Sequence, residues 1–236
     1  MAPQPSMKIL SIVIPAYNEE RFIGTLLERI RAVDLRVLDV DREIVVVDDC
    51  SRDRTAAIVE AIPGVRLLRM ERNSGKGRAV RAGIAAATGD LLIIQDADLE
   101  YDPQDYVPML RALLDGRSDI VYGSRYLGRG RYPNQSLAAY LGGRSLSLVA
   151  WVLTGRYLTD TVTALKLFRR AEVAGLPLET SGFELDHEIT ARMLARRRRI
   201  LEVPIRYYPR SRKEGKKIGA RDWFIGARTF WKYRKG

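Results

Sequence analysis

Two aspartates separated by one residue are the strongest candidates for chemistry in this sequence. Asp96 and Asp98 follow an apolar run, residues 91–94, which predicts a buried strand of a parallel sheet. The strand leads without a break into the pair, so both carboxylates are expected at its carboxyl edge, where open α/β sheets bind ligands. Mg²⁺ and Mn²⁺ take one or two carboxylates together with substrate phosphates. We interpret the pair as a metal site for a nucleotide pyrophosphate; a polar turn that caps the next helix is the alternative.

Polar residues also follow the other predicted strands. Strands are predicted at about residues 9–14, 43–47, 65–70, 91–94 and 120–122, and helices at about 19–33, 51–61 with Ser51 as cap, and 75–87. The polar groups at the strand ends are Tyr17, Asp48 with Asp49, Lys76 in a glycine turn, the Asp96/Asp98 pair, and Ser124 with Arg125. This alternation predicts an α/β fold with a mostly parallel, doubly wound sheet and one site along its edge.

The glycine turn, Gly75-Lys76-Gly77, does not match the glycine spacing of a P-loop or of a dinucleotide-binding fingerprint. This argues against a nucleotide triphosphatase and against a Rossmann dehydrogenase. The turn is either a contact with a ligand or the plain start of a helix.

Length and composition indicate one globular domain. The chain has 236 residues, of which 46% are hydrophobic and 29% are charged. Its single cysteine, Cys50, excludes a disulfide framework and fits a reducing cytoplasm. The first apolar run ends at Pro15 and is not typical of a signal peptide. The longest later run, residues 146–153, is far below the roughly 20 residues of a spanning helix, so we expect no membrane crossing.

The net charge of +11 is concentrated near the end of the sequence. Residues 206–236 contain eleven Lys and Arg and two acidic residues, which places +9 there and leaves +2 on the other 205 residues. A uniformly basic surface would have indicated nucleic acid. A basic tail on a near-neutral body predicts instead a localised contact with an anionic partner, and no nucleic acid.

The last predicted helix, about residues 220–234, is basic and amphipathic. Its apolar stripe consists of Trp223, Phe224, Ala227, Phe230 and Trp231. Such a helix suits the plane of an anionic membrane surface, and it also suits docking on the protein's own core. Both alternatives stay open at this point.

Several motifs together resemble a known family. They are residues 11–20 (SIVIPAYNEE), 46–53 (VVDDCSRD), 73–81, 96–98, 123–126 (GSRY), 202–205 (EVPI), 210 and 215–218. The sequence resembles family 2 glycosyltransferases of GT-A fold, and more closely the dolichyl- and polyprenyl-phosphate mannose or glucose synthases, over about residues 8–235. We expect a disordered start at 1–7, a GT-A catalytic domain at 8–210, and a basic closing segment with a C-terminal amphipathic helix at 211–236.

The resemblance implies a role for residues near the nucleotide sugar. The implied donor-binding residues are Pro15, Tyr17, Glu19, Asp49, Lys76 and Asp96, and the implied ligands of Mg²⁺ or Mn²⁺ are Asp96, Asp98 and Glu100. Many relatives carry glutamine at the last of these positions. Asp98 is also expected to be catalytic.

The resemblance also implies an acceptor side. The candidate contacts with an acceptor phosphate are Arg125, which is also expected to be catalytic, Arg144, Arg210 and Lys217, the last two on a segment that closes over the phosphates. Lys166 is a further candidate, and for it and Arg144 a solvated face is the alternative. Ala164 stands where the family commonly has glycine, so a loop that needs positive φ in relatives would be distorted here.

Three other features near residues 183–199 have weaker predictions. Asp186, at a helix start, matches an acid of glucosyl-type relatives and is the candidate base or acceptor-orienting residue, with a simple helix-start charge as the alternative. His187 is expected to be a partly buried residue and not a ligand. The run of four arginines at 196–199 is interpreted as a solvated helix end, with contact with anionic headgroups as the alternative.

The resemblance and the charges lead to one main functional hypothesis. A metal held by the Asp pair would stabilise a departing nucleoside diphosphate, and an anionic lipid phosphate would attack without a strong base. We therefore expect an inverting transfer of a hexose from GDP-mannose or UDP-glucose to a polyprenyl phosphate, at the cytoplasmic membrane surface, with a β-linked product from an α-linked donor. A membrane-anchored partner or a homo-oligomer would fit this setting. The alternatives are transfer to a hydroxyl with Asp186 as base, and a non-catalytic nucleotide-sugar or membrane-binding scaffold.

Overall fold

A computed structural model of the chain describes residues 7–128, 131–132, 135–209 and 220–235. The strands are β1 (Lys8–Ala16), β2 (Val40–Asp48), β3 (Val65–Arg69), β4 (Leu91–Ile94), β5 (Ile120–Ser124), β6 (Lys166–Arg169) and β7 (Leu201–Pro204). The α-helices are α1 (Ile23–Arg31), α2 (Thr55–Glu60), α3 (Lys76–Ala86), α4 (Tyr106–Leu114), α5 (Leu137–Thr154), α6 (Arg170–Ala174), α7 (Leu185–Ala195) and α8 (Ala220–Tyr233).

The seven strands form one sheet in the order β3-β2-β1-β4-β6-β5-β7. β1 is parallel to β2 and β4, β2 is parallel to β3, and β5 is parallel to β7. β6 is antiparallel to both β4 and β5. The predicted α/β class and mostly parallel sheet are confirmed, but β6 and β7 were not predicted. Each has only four residues, and β6 begins with Lys166 and ends with Arg169, so neither shows the apolar run of a central strand.

Helices cover both faces of the sheet, which is why an interior strand such as β1 is buried along most of its length. In β1, every residue from Leu10 to Ala16 is buried. Ile12 belongs to the core cluster on one face, together with Leu26 of α1. The next residue, Val13, belongs to the cluster on the other face, together with Val80 of α3. Burial on two faces replaces the alternating pattern of a half-exposed strand with a continuous apolar run.

Two helices begin later than predicted because side chains tie the loops after β1 and β2 together. α1 begins at Ile23 and α2 at Thr55. Ser51 does not cap α2; its Oγ accepts a hydrogen bond from the Asn18 amide at 2.9 Å, and Asn18 Oδ1 accepts one from the Arg52 amide at 2.8 Å. The predicted cap was therefore wrong, and Ser51 instead fixes one loop against the other.

The glycine turn before α3 is a close contact between two backbones. Gly75 has a φ of 92°, and the Gly77 amide donates to the Ser181 carbonyl at 2.7 Å. A Cβ atom on Gly77 would lie 2.7 Å from the carbonyl oxygen of Thr180. The glycines are thus needed by the loop that precedes α7, whether or not a ligand also lies there.

α8 packs on the protein with only part of its apolar stripe. Phe230 is fully buried in a cluster with Ala150 of α5 and Ala191 of α7. Phe224 and Trp231 remain 69% and 58% exposed. The predicted stripe is therefore divided: Phe230 docks on the protein's own core, whereas Phe224 and Trp231 face outward.

One helix of the described residues, α5, is long and apolar enough to cross a membrane by length and composition alone. Its 18 residues have a mean hydropathy of 1.3, and 17% of that window is buried. The expectation that no segment reaches this length was based on residues 146–153. The helix begins earlier, at Leu137, where Ser136 caps it: the Ser136 Oγ accepts a hydrogen bond from the Ala139 amide at 3.2 Å.

Replacing Gly77 with alanine should lower the free energy of unfolding by about 1–3 kcal/mol, because the added methyl group must displace the backbone of residues 180–181. Gly142→Ala is the matched control, since a Cβ there meets no atom within 4 Å. That change within α5 should raise the free energy of unfolding by about 0.5–1 kcal/mol. Urea unfolding of both variants measures the difference. Equal stability of the two variants would contradict the backbone contact.

Candidate active site

A cavity of about 1000 Å³ opens at the carboxyl ends of the parallel strands. Ten predicted site residues line it, namely Pro15, Tyr17, Glu19, Asp49, Lys76, Asp96, Asp98, Glu100, Arg125 and Asp186. Arg144 is not among the lining residues, and Arg210 and Lys217 lie outside the described residues. This cavity therefore lies where the polar strand ends were expected to form one site.

The turn after β4 places two carboxylates at the cavity. β4 ends at Ile94, and Asp96 and Asp98 both line the cavity. The turn is closed by a hydrogen bond of 3.1 Å from the Glu100 amide to Asp98 Oδ1, and Leu99 adopts a φ of 60°. The strand thus ends as predicted, and the chain turns with both acids at the cavity wall.

Glu100 does not join these two acids in a three-carboxylate site. Its Oε2 accepts a hydrogen bond from the Tyr207 hydroxyl at 2.7 Å. Within the described part of the chain, no three His, Cys, Asp or Glu side chains are grouped so that they could hold a metal ion. The Asp96/Asp98 pair still fits Mg²⁺ or Mn²⁺, because these ions are commonly bound by one or two carboxylates and complete their coordination with phosphate and water.

Four charges of alternating sign connect the core to this pair. Lys166, fully buried in β6, has its Nζ 3.3 Å from Asp186 Oδ1. Asp186 Oδ2 lies 3.0 Å from Lys76 Nζ, which in turn lies 2.8 Å from Asp96 Oδ1. Lys166 also donates to the carbonyl of Thr163. The solvated face considered for Lys166 was therefore wrong.

The pKa values of the two acids in this chain shift in opposite directions. Burial favours the neutral form of Asp186, but Lys166 and Lys76 outweigh it and lower the pKa of that carboxyl. Burial raises the pKa of Asp96; Lys76 opposes this rise, whereas the charges of Asp98 and Asp186 add to it. Asp186 is thus held ionised and is a weak proton acceptor, whereas a cation added beside Asp96 would oppose the repulsion from Asp98 and Asp186 that raises its pKa.

Arg125, which follows β5 and lines the cavity, is held in place by an acid. Its Nε and Nη2 donate to the two oxygens of Asp160 at 2.7 and 2.8 Å, and its amide donates to the same carboxylate. Its guanidinium lies 5.2 Å from the ring centroid of Tyr207. Asp160 itself is fully buried, and its amide donates to Glu202 Oε1 at 2.9 Å. Sequence reasoning missed both acids as anchors, although Glu202 occurs within a motif used for the resemblance, residues 202–205.

Asp49 also holds a loop. Its two oxygens accept hydrogen bonds from the amides of Ser74 and Gly75, each at 2.7 Å. This acid therefore connects the end of β2 to the glycine turn and fixes the start of α3. The role in binding the nucleotide sugar stays a prediction.

Arg144 is used in packing between α5 and the loop after it. Its Nη1 donates to the Thr159 carbonyl at 3.0 Å and its Nη2 to the Tyr157 hydroxyl at 2.6 Å. Ala164 lines the cavity, and it is not one of the described non-glycine residues with positive φ. Ala164 therefore carries no left-handed backbone strain, and a difference between this loop and that of relatives with glycine stays a prediction.

His187 lies at the cavity wall and packs against α8. Its ring centroid is 5.5 Å from that of Phe230, and its Nδ1 is buried without a hydrogen-bond partner among the described residues. Burial lowers the pKa of the imidazole to about 4. The expected partial burial is confirmed.

The comparisons with known proteins agree with this arrangement. The model of glycosyl transferase family 2 matches residues 11–170. The chain is 32% identical over 218 residues to a dolichol-phosphate mannosyltransferase of Pyrococcus furiosus, which covers 90% of this chain and 60% of the relative. It is 26% identical to a UDP-N-acetylglucosamine–dolichyl-phosphate N-acetylglucosaminyltransferase of Methanococcus voltae, with 84% and 85% of the two chains covered. This chain thus spans only part of the Pyrococcus relative.

Solved structures support the fold. Glucosyl-3-phosphoglycerate synthase of Mycobacterium tuberculosis with bound uridine diphosphate superposes with a TM-score of 0.74 at 22% identity, covering 96% of this chain and 80% of that one. A structure of the same protein with Mn²⁺, UDP-glucose and phosphoglyceric acid has a TM-score of 0.72. The fold expected from the sequence, that of GT-A nucleotide-sugar transferases, is therefore confirmed.

Lowering the pH from about 7 to about 5 should reduce the free energy of unfolding by about 2 kcal/mol through His187. The unfolded chain, with a histidine pKa of about 6.5, binds a proton that the folded state does not bind until about pH 4. The stability is thus present above the unfolded pKa and is lost as the pH falls. His187→Gln should flatten this dependence in urea unfolding, since the sequence has no other histidine. An equally steep dependence in the variant would refute the assignment.

Proposed function

Because this chain belongs to glycosyl transferase family 2, we propose that it transfers a hexose from a nucleotide-diphosphate sugar to a polyprenyl phosphate, with inversion and with a divalent metal. The observation that carries the proposal is that Asp96, Asp98 and Arg125 line one cavity. The relatives from Pyrococcus and Methanococcus are named for transfer to dolichyl phosphates. GDP-mannose and UDP-glucose are the proposed donors.

On the donor side, Asp96 and Asp98 would hold Mg²⁺ or Mn²⁺ together with the diphosphate. When bound, the ion supplies positive charge to the departing diphosphate. Lys76 adds an ammonium group at the same wall, and Asp186 fixes its position at 3.0 Å. Asp49 holds the glycine turn from which Lys76 extends. These residues place both sources of positive charge where a diphosphate would leave.

On the acceptor side, the residues favour an acceptor that is already anionic. A lipid phosphate needs orientation by a cation more than removal of a proton, and Arg125 is fixed for this by its bidentate contact with Asp160. Transfer to a hydroxyl would need a base, and the two lysines that lower the pKa of Asp186 make it a weak one. This weighs against the hydroxyl alternative. Because the acceptor is a membrane lipid, the proposed site of action is the cytoplasmic membrane surface.

Asp98→Asn should reduce sugar transfer to polyprenyl phosphate by about a hundredfold or more, because it removes a metal-binding carboxylate at the leaving group. Asp115→Asn is the matched control, since Asp115 pairs with Arg117 on the exposed surface and should leave transfer unchanged. The assay uses GDP-mannose and UDP-glucose with Mn²⁺, Mg²⁺ or a chelator. Full activity in the chelator or in Asp98→Asn would refute the metal role, and a product with retained anomeric configuration would refute inversion.

Asp186→Asn tests the acceptor class. With a polyprenyl phosphate acceptor, the pH dependence of the transfer rate near neutrality should be the same in the variant as in the original protein, because this residue removes no proton. The KM for the donor should increase, because Lys76 loses one of its partners. If the original protein transfers sugar to hydroxyl acceptors alone, and Asp186→Asn abolishes this transfer, the alternative function is established.

A further inference from the structure

α5 carries an apolar face that the proposed chemistry does not use. This α5 face consists of Leu137, Leu141, Leu148, Trp151 and Val152, whose exposed fractions range from 46% to 74%. At 3.6 residues per turn all five lie on one side of the helix. Large contiguous apolar patches are rare on soluble monomers and usually mark an interaction surface. The composition of α5 adds to this, because its 18 residues contain no acid and a single cation, Arg144.

The opposite side of α5 is fixed to the rest of the protein. Its buried residues are Gly143, Leu146, Ser147 and Ala150. Ser147 Oγ lies 3.3 Å from the Thr161 hydroxyl. Ser145 Oγ accepts a hydrogen bond from the indole of Trp223 in α8 at 2.8 Å. Spanning a bilayer would break these contacts, so the α5 face can meet a membrane only with the helix lying along its surface.

The outward side of α8 has the charge that a lipid surface requires. Phe224, Arg228 and Trp231 are exposed and lie on one side of that helix, opposite the buried Phe230. Arg221 is exposed on the same side. Aromatic residues interleaved with arginine are typical of helices that lie at the headgroup level of anionic membranes.

The cavity continues to these two helices. Ala138, Ala139 and Gly142 of α5 and Phe224 of α8 line the same cavity as Asp96. A phosphate held in a membrane surface would reach the acids from this side without leaving the lipid layer. This last step rests on the proposed transfer to a polyprenyl phosphate, whereas the docking itself does not.

We propose that the α5 face is the docking surface of this protein for an anionic lipid bilayer, with α5 lying in the plane of the interface. The apolar residues enter the boundary between headgroups and acyl chains, and the arginines of α8 contact the headgroups. The sequence analysis considered the stripe of α8, but one of its members, Phe230, is buried. The structure transfers the main apolar contact to α5.

Flotation with vesicles tests the proposal. The protein is mixed with vesicles of phosphatidylcholine alone or of equal parts phosphatidylcholine and phosphatidylglycerol. Leu148→Gln/Val152→Gln should lower partitioning onto the anionic vesicles by about tenfold or more. The matched control is Met7→Gln/Val37→Gln, which changes residues of similar exposure (52% and 59%, against 50% and 74%) near the amino ends of β1 and β2. The control should float like the original protein.

Three outcomes would overturn the docking surface. They are equal flotation of the two double variants, no flotation of the original protein on anionic vesicles, and a change from dimer to monomer in Leu148→Gln/Val152→Gln by analytical ultracentrifugation. The last would assign the face to a second copy of this chain. Urea unfolding of the variants shows whether a loss of flotation reflects lost folding.

A fluorescent depth probe makes the test independent of those variants. With Cys50 replaced by serine, an environment-sensitive dye on Val152→Cys should shift to the blue on anionic vesicles, and the same dye on Val37→Cys should not. No shift at Val152→Cys contradicts the proposal. Transfer to a short, water-soluble prenyl phosphate is measured in parallel, so that absent transfer with intact flotation refutes the acceptor assignment and leaves the docking surface standing.

Discussion

The site depends on a line of alternating charges that leads from the sheet to the cavity. Lys166, Asp186, Lys76 and Asp96 come from β6, α7, α3 and the end of β4. A buried ionised group is tolerated only beside an opposite charge, so each member makes the next one possible. The line therefore fixes four elements relative to one another, and it ends at Asp96, one of the two acids proposed to hold a cation.

Acidic side chains around the cavity divide into those that fix its walls and the pair that is proposed to hold a cation. Asp49 accepts hydrogen bonds from two backbone amides of the glycine turn, and Asp160 accepts hydrogen bonds from Nε and Nη2 of Arg125. Glu202 in turn holds the amide of Asp160. These contacts position the walls of the cavity. Asp96 and Asp98 remain at the wall itself, which is the arrangement that a cation with phosphate ligands can complete.

The two amphipathic helices show why a surface is harder to predict than a site. In α8 the stripe visible in the sequence is divided, with Phe230 buried and Trp231 outward. In α5 an apolar composition suggests a core helix, yet Leu148 and Val152 are exposed. Helical periodicity specifies which residues share a face, but whether that face is covered depends on elements far away in the chain.

Sequence patterns were enough to predict the α/β class, the strands β1 to β5, the polar strand ends and the turn at Asp96 and Asp98. All of these follow from local signals, since apolar runs, glycines and turn residues act over a few neighbours. The antiparallel insertion of β6, the partners of Arg125, the packing of Arg144, and the pairing of Lys76 with Asp186, 110 positions away, became visible in the folded protein alone. Residues and strands this far apart in the sequence become neighbours only when the chain folds. An ion pair depends on the distance between two charges in space, so it produces no periodic pattern in the sequence.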